Sequence, residues 1–179
     1  WSPDGTRIAW VNYALGTGEI FAADADGSNK VNLTNNTKED REPDWSPDGA
    51  KIAFTSYRDG GLRQVFVMNA DGSSQTRMTY HLCQSYNPLW SPDGTRIAYI
   101  CGLDEFAEIF VMSADGSSFE RLTNNDDPDV APTWSPDSTR LAYVSGELYD
   151  AEIYVVNVDS GAKTRLTNSG SYLREDSSN

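Results

Sequence analysis

A five-residue phrase recurs along this chain and constrains its fold more than any other feature. The phrase Trp-Ser-Pro-Asp-Gly, and a fourth copy that ends in Ser138 instead of glycine, begin at Trp1, Trp45, Trp90 and Trp134. The tryptophans are 44, 45 and 44 residues apart, so repeated units fill nearly all of the 179 residues. A constant period of this length is typical of repeat architectures. We therefore interpret 1–179 as one repeat domain, with units beginning near 1, 45, 90 and 134 and a tail at 169–179.

Each unit has the pattern of about four short antiparallel strands. In the second unit, Pro47 and Gly49 supply turn chemistry, and Asp71 begins an Asp-Gly hairpin. The two central strands, 51–56 and 64–69, are apolar at consecutive positions, so both faces of each sheet should be buried. Small sheets that are covered on both faces by copies of themselves are the blades of a propeller. We predict an all-β fold, a β-propeller built of four-stranded antiparallel blades, with four repeats in this chain.

The four units do not by themselves determine whether the ring is closed. In the first three units the closing threonine (Thr34, Thr79, Thr123) precedes the next tryptophan by eleven residues, but no motif follows Thr167 at that interval. One alternative is that the tail supplies an inner strand to the first blade and closes a four-bladed ring. The other, which we favour, is an arc of a larger or two-chain propeller. An arc exposes apolar faces at both ends and would favour self-association. Because the chain starts with tryptophan, we expect a processed product or a fragment.

Charge and hydropathy exclude some classes of partner. The chain has 27 acidic and 14 basic side chains, for a net charge of −13. Nucleic-acid binding depends on basic side chains that neutralise phosphates, so we expect no nucleic-acid partner. No apolar run approaches the length of a membrane helix, so we expect no membrane insertion. An acidic surface suits basic protein patches or cations, although solubility alone explains it as well.

Residues that carry enzyme chemistry are almost absent. His81 is the one histidine, so one chain cannot build a centre of several histidines. No nucleophile elbow, Gly-Lys phosphate loop or dinucleotide fingerprint occurs. We therefore predict that the chain is not an enzyme and has no cofactor. The acidic stretches 24–27 and 124–129 could bind Ca²⁺, but a hairpin and a solvated loop explain them better.

The two cysteines flank one of the repeated turns. Cys83 lies seven residues before Trp90, and Cys101 lies eleven residues after it. A hairpin folded about that turn brings the two positions roughly opposite each other, which makes a disulfide geometrically feasible. A disulfide would suit an exported protein. The alternative is two unpaired thiols that lie close together.

The repeated motifs resemble a known family. Trp-Ser-Pro-Asp-Gly-x-x-Ile-Ala-aromatic, then Glu-Ile-aromatic-Val-Met-x-Ala-Asp-Gly-Ser, then Arg-Leu-Thr, resembles the TolB-type propeller repeat, a WD-like Pro-Asp repeat, in all four units. Asp40 and Asp129 match the family's aspartate three residues before the proline, whereas Ser85 departs from it. Family members usually have six or more blades.

The resemblance implies a function as well as a fold. It implies a non-catalytic, periplasmic or extracellular propeller that presents loops to a protein partner. Similar repeats also occur as accessory domains of peptidases and in certain polysaccharide lyases. The repeat alone therefore does not select a function. Our leading hypothesis is a protein-binding scaffold, and the alternatives are an accessory propeller cut from a larger exported enzyme and a self-assembling propeller subunit.

The loops at the two ends of the blades differ in kind. One end, the turn face, collects the Ser-Pro-Asp-Gly and Asp-Gly-Ser turns. The other end, the variable face, consists of 13–18, 57–63, 102–107, 146–150, 35–42, 80–86 and 124–130. Variable loops on a repeated scaffold are where recognition usually occurs. Aromatic and charged residues there have the composition of an interface, and we predict partner contacts at Tyr13, Tyr57, Arg58, Arg63, Tyr86, Asp104, Phe106 and Tyr149. The alternative is that these rings pack over their own blades.

Overall fold

Short antiparallel strands make up almost all of the regular structure. The computed structural model describes residues 1–14, 16–80, 82–147 and 150–168. One 3-10 turn, Asp104–Phe106, interrupts the strand pattern. The strands are β1 (Arg7–Asn12), β2 (Glu19–Asp24), β3 (Val31–Asn32), β4 (Asp40–Trp45), β5 (Lys51–Ser56), β6 (Gln64–Asn69), β7 (Thr76–Arg77), β8 (Ser85–Trp90), β9 (Arg96–Cys101), β10 (Glu108–Ser113), β11 (Phe119–Arg121), β12 (Asp129–Trp134), β13 (Arg140–Ser145), β14 (Glu152–Asn157) and β15 (Lys163–Arg165).

The strands form four separate sheets, one for each repeat. Within every sheet the strands follow chain order: β1–β3 in blade 1, β4–β7 in blade 2, β8–β11 in blade 3 and β12–β15 in blade 4. All pairings are antiparallel. The predicted all-β architecture of four-stranded blades is therefore confirmed. Blade 1 has three strands and, among the described residues, lacks the counterpart of β4, β8 and β12.

A repeated bulge explains how proline fits into the first strand of a blade. The pairing of β4 with β5 shifts register between Arg41 and Asp44, around Pro43. Glu42, directly before the proline, has φ of 55°, and Asn87 and Ala131 have 54° and 52° at the same place in β8 and β12. Proline cannot donate to a strand ladder, and a bulge removes that requirement at this one position. The bulge bends the strand without breaking the sheet.

The core lies between neighbouring blades, not within any one of them. Each blade presents an aromatic face to the preceding blade and an aliphatic face to the following one. Between blades 1 and 2, for example, Ile20 and Ala22 pack against Phe54, Phe66 and Met68. The corresponding clusters contain Val65, Val67, Ile97, Tyr99 and Met112 between blades 2 and 3, and Ile109, Val111, Leu141, Tyr143 and Val156 between blades 3 and 4. The expected stacking through both faces is confirmed for blades 2 and 3.

The two terminal blades each keep one apolar face open. On blade 1, Trp10 is only half-buried, with the Lys30 ammonium 5.4 Å from the centre of its ring. On blade 4, Ile153 is 43% exposed, whereas its counterparts Val65 and Ile109 are fully buried. None of the core clusters of the described residues joins blade 4 to blade 1. The tail 169–179, which could close a ring, lies outside the described residues.

The recurring Ser-Pro-Asp-Gly phrase builds a hydrogen-bonded turn. Ser46 Oγ donates to Asp48 Oδ1 at 2.6 Å and accepts the Lys51 backbone N–H at 2.9 Å. Asp48 Oδ1 also accepts the Ala50 N–H, and these bonds lower the pKa of the Asp48 carboxyl below its ordinary value. The same bonds recur in the pairs Ser2–Asp4, Ser91–Asp93 and Ser135–Asp137. The most conspicuous motif of the sequence is therefore a structural element.

A second repeated bond links a central strand to the outer end of its blade. Thr123 Oγ1 donates to Glu108 Oε2 at 2.5 Å and accepts the Ile109 N–H at 2.9 Å, and both side chains are buried. The equivalent pairs are Glu19–Thr34, Gln64–Thr79 and Glu152–Thr167. The bond accounts for the acidic or amide residue before each apolar strand and for the threonine of Arg-Leu-Thr. These recurring polar residues serve the scaffold.

Candidate binding face

Backbone hydrogen bonds join the variable loops of neighbouring blades into one surface. At the junction of blades 2 and 3, the Ser85 N–H donates to the carbonyl of Arg63 at 2.8 Å, and the Gly102 N–H donates to the carbonyl of Gln84 at 3.0 Å. The same pattern recurs at the junction of blades 1 and 2, where the Asp40 N–H donates to the Gly18 carbonyl at 2.7 Å. The segment that connects two blades is thus hydrogen-bonded to a variable loop of each of them. The variable face is positioned by the scaffold rather than by the loops themselves.

Four of the predicted contact residues meet at the junction of blades 2 and 3. The Arg63 guanidinium carbon lies 4.6 Å from the centre of the Tyr86 ring and 6.0 Å from that of Tyr57. Burial raises the pKa of the Tyr86 hydroxyl, the positive charge of Arg63 opposes the shift, and the charges of Glu42 and Asp104 add to it. Tyr57, Arg63, Tyr86 and Asp104 therefore form one cluster of rings and charges.

Tyr13 lies on the same face but has a different basic neighbour. Arg41 stacks over the Tyr13 ring at 5.9 Å and forms an ion pair with Glu39 at 2.6 Å. That hydrogen bond raises the pKa of Arg41 above its ordinary value. Arg41 is not among the residues predicted to contact a partner. A comparison of the units would have singled it out, because Tyr86 and Val130 occupy the same strand position and the three side chains differ completely.

Arg58, another predicted contact residue, is engaged by side chains of its own blade. Its guanidinium donates to Asp40 Oδ2 at 2.9 Å and to the side-chain oxygen of Gln75. It also lies over the Phe54 and Phe66 rings, at 5.3 Å and 5.0 Å. The Asp40 carboxylate is fully buried, so the arginine neutralises a charge that the scaffold has enclosed. Arg58 thus stabilises blade 2, and it leaves little surface for a partner.

Exposed apolar side chains lie on the connection to blade 3 and on the loop that follows β9. Phe106 and Tyr80 are both 73% exposed, and Leu82 is 96% exposed. Leu82 is not among the predicted contacts, because the sequence gives no signal that separates an exposed leucine from a buried one. The predicted contact Tyr149 lies outside the described residues.

A disulfide anchors the connection that carries Tyr80 and Leu82. Cys83 and Cys101 are bonded, with their Cα atoms 5.7 Å apart. Cys101 ends β9, and Cys83 belongs to the same connection as Tyr80 and Leu82. The bond therefore fixes one end of an exposed segment to a buried strand, which reduces the conformations that the segment can adopt.

The acidic loops are organised by hydrogen bonds within the chain. The Asn125 side-chain amide donates to Asp129 Oδ2 at 3.1 Å, and the Asp127 N–H donates to Asn125 Oδ1. Burial raises the pKa of the Asp129 carboxyl. Across the described residues, His, Cys, Asp and Glu side chains nowhere group in threes suited to a metal ion. The described part of the chain also contains no helix long and apolar enough to span a membrane.

Solved structures of other proteins share this fold. A putative TolB from Agrobacterium tumefaciens is 26% identical, with a TM-score of 0.81 over 93% of this chain and 62% of that one. TolB from Acinetobacter baumannii is 24% identical, with a TM-score of 0.76 over 96% of this chain and 43% of that one. The chain therefore spans less than two thirds of the length of either protein. A puromycin hydrolase also shares the fold, at 16% identity, a TM-score of 0.74 and 94% coverage of this chain, which matches 28% of the hydrolase.

Sequence comparison assigns the chain to a family. A search of curated proteins found no relative. The model of the TolB beta propeller domain, however, matches residues 1–101 and again 82–178, so the two matches together span all four repeats. The match agrees with the four sheets, the apolar contacts between them and the repeated turns. The chain therefore belongs to the TolB beta propeller domain family.

Proposed function

We propose that this chain is a non-enzymatic scaffold of an exported protein, periplasmic or extracellular, that binds a protein partner through its variable face. One observation carries the proposal: the residues that recur in every unit are engaged in the scaffold, whereas the residues that differ between units are exposed at one end. Phe106, Tyr80 and Leu82 are the clearest of these. Exposed aromatic side chains on a rigid surface are the usual anchors of protein interfaces.

Family membership supports the proposed location, and the disulfide supports it independently. Cys83 and Cys101 form a bond that persists in oxidising compartments and is rare in the cytosol. The polar groups that recur, such as Asp48 and Glu108, are held by hydrogen bonds within the scaffold, which favours a structural over a catalytic role. Their engagement is the reason that we place recognition, and not chemistry, at the variable face.

A double substitution on the variable face tests the proposal. We expect Tyr80→Ser with Phe106→Ser to weaken binding of a captured envelope or extracellular protein at least about tenfold, because each substitution removes an exposed aromatic anchor. The measurement is calorimetric titration of the purified partner. Phe119→Ser is the matched control, because Phe119 is 60% exposed but lies beside the turn face. Unchanged affinity of the double variant would overturn the proposed binding face.

The open end faces favour a second function, association through further blades. At each junction between blades, the aromatic face of one blade packs on the aliphatic face of the preceding blade. Blade 1 leaves its aromatic face open, and blade 4 leaves its aliphatic face open, so the two open faces are complementary. Leu166 on blade 4 is 59% exposed, whereas its counterpart Leu122 is buried. We propose that blade 4 of one copy receives blade 1 of another. The contact is head-to-tail, so it closes a ring only where the rotation allows. The mass of the particle in solution tests this proposal.

A further inference from the structure

We propose that Arg63 binds a carboxylate of the polypeptide that docks on the variable face, supplied by an Asp or Glu side chain or by a C-terminus. This inference rests on the proposed function and adds the chemistry of the ligand. It depends on three observations: the residues at the same position in the other blades, the lack of a direct ion pair for Arg63 among the described residues, and the rings that hold the guanidinium.

The other three blades show that the scaffold does not need an arginine here. Arg63 directly precedes Gln64, the first residue of β6. At the same position, before Glu19, Glu108 and Glu152, the chain has Gly18, Ala107 and Ala151. A small side chain at this position is therefore sufficient for the fold. The long cation in blade 2 is an addition to the scaffold.

Arg63 forms no direct ion pair with any carboxylate among the described residues. Arg58 and Arg121, by contrast, pair with Asp40 and Glu108 at 2.9 Å and 2.7 Å. Arg63 forms no ion pair within the described chain, and its Nε atom is buried without a hydrogen-bond partner. A guanidinium presents a planar fork that matches a carboxylate. Because Nε is enclosed by the protein, a carboxylate from a partner would bind the terminal Nη atoms of the fork, which form no ion pair within the described chain.

Two tyrosines set the geometry of the site. Tyr86 and Tyr57 lie 4.6 Å and 6.0 Å from the guanidinium carbon, so the guanidinium rests against rings and is less hydrated than a free arginine. A cation held in this way loses little conformational freedom when it binds an anion.

Two neighbouring carboxylates select the type of anion. Glu42 Oε2 is already engaged, because it accepts the Thr55 hydroxyl at 2.7 Å and the Asn87 N–H at 2.8 Å. Asp104 is exposed, and its charge acts on Tyr86. These charges would repel a dianion such as phosphate more strongly than a single carboxylate. The site therefore suits one carboxylate on a peptide.

Short peptides distinguish the sources of the carboxylate. The probes are acetyl-Phe-Glu-Phe-amide, which has only a side-chain carboxylate, and acetyl-Phe-Ala-Phe with a free C-terminus. Acetyl-Phe-Gln-Phe-amide is the neutral control. The readout is the NMR shift of the Arg63 Nε–H signal in the whole chain. We expect a saturating shift with at least one acidic peptide and none with the neutral peptide. An equal shift with the neutral peptide, or no shift with either acidic peptide, would overturn the proposal.

Substitution at Arg63 provides the second test. Arg63→Ala introduces the residue that blades 3 and 4 have at this position, so the fold should be retained. We expect this substitution to lower the affinity for the acidic peptide at least about tenfold. Arg96→Gln, on the turn face, should have no effect. If a partner protein binds Arg63→Ala as tightly as the unmodified chain but loses affinity for the Tyr80 and Phe106 double variant, the carboxylate proposal fails and the proposed function stands.

Discussion

Phe54→Ala is expected to lower the free energy of unfolding by about 3 to 5 kcal/mol, the usual cost of deleting a buried phenylalanine ring. Phe54 is fully buried between blades 1 and 2, where its cluster includes Ile20 and Phe66. The Phe66 ring centre lies 5.7 Å away. Alanine would leave a cavity that two rigid sheets cannot close. Urea unfolding of the two proteins in dilute solution measures the difference.

Trp10→Ala is the matched control for this prediction. Trp10 occupies the same strand position in blade 1, where no preceding blade covers it, and it is only half-buried. We expect a loss of about 1 kcal/mol or less, the usual range for a substitution away from the core. Equal losses for Trp10→Ala and Phe54→Ala would contradict the assignment of one face as open and the other as packed.

The stability of the chain is expected to fall as pH rises from about 4 to about 6, and Asp44 is the main cause. Burial raises the pKa of the Asp44 carboxyl from 3.8 to about 6, and its hydrogen bond from the Trp90 N–H opposes the shift. Between these values the folded state keeps a proton that the unfolded state releases, so ionisation favours unfolding. The full shift corresponds to about 3 kcal/mol, and we expect about 2 kcal/mol because Asp44 is partly exposed.

Asp44→Asn separates this residue from the other acidic groups. Asparagine can still accept the Trp90 N–H and carries no charge, so the variant should be about 2 kcal/mol more stable than the unmodified chain at pH 7.5. The stability of this variant should still decline slightly as pH rises, because burial also raises the pKa of Asp129. Asp126→Asn, which removes an exposed carboxylate, is the control and should change little. A pH profile of Asp44→Asn that matches the unmodified chain would contradict the assignment.

The turn aspartates act in a separate pH range and with the opposite sign. Hydrogen bonds lower the pKa of Asp48, and the same holds for Asp4, Asp93 and Asp137. A carboxyl whose folded pKa is depressed stabilises the fold above its unfolded pKa and loses that contribution as pH falls. Their effect therefore appears below about pH 4 and does not overlap the decline caused by Asp44.

The fold could be predicted from the sequence because its determinants are local and repeated. The turn at Pro47, the hairpin at Asp71 and the apolar strand 51–56 are each determined by residues that are adjacent in the sequence. Four copies of one pattern then require one architecture. The first strand of each blade was less predictable: β4 runs from Asp40 to Trp45 through Pro43, because the bulge lets pairing continue past the proline.

The site could be predicted only in part, because its geometry depends on contacts between distant residues. Arg58 and Arg63 lie in the same loop and look equivalent in the sequence. Their roles differ because Arg58 meets Asp40 and Gln75, 18 and 17 residues away, whereas no acidic residue comes that close to Arg63 within the described chain. Position-by-position comparison of the four units would have improved the prediction, since it isolates Arg63 among small residues.

The mass of the chain in solution, measured by light scattering over a range of concentrations, tests the stacking of blades most directly. If each blade face requires its complement, the mass should rise above the 19.7 kDa of one chain as concentration increases. Ile153→Asp, which places a charge on the open face of blade 4, should return it to 19.7 kDa, whereas Ser160→Asp, in an exposed turn of the same blade, should not. A mass of 19.7 kDa for the unmodified chain at every concentration would contradict the account.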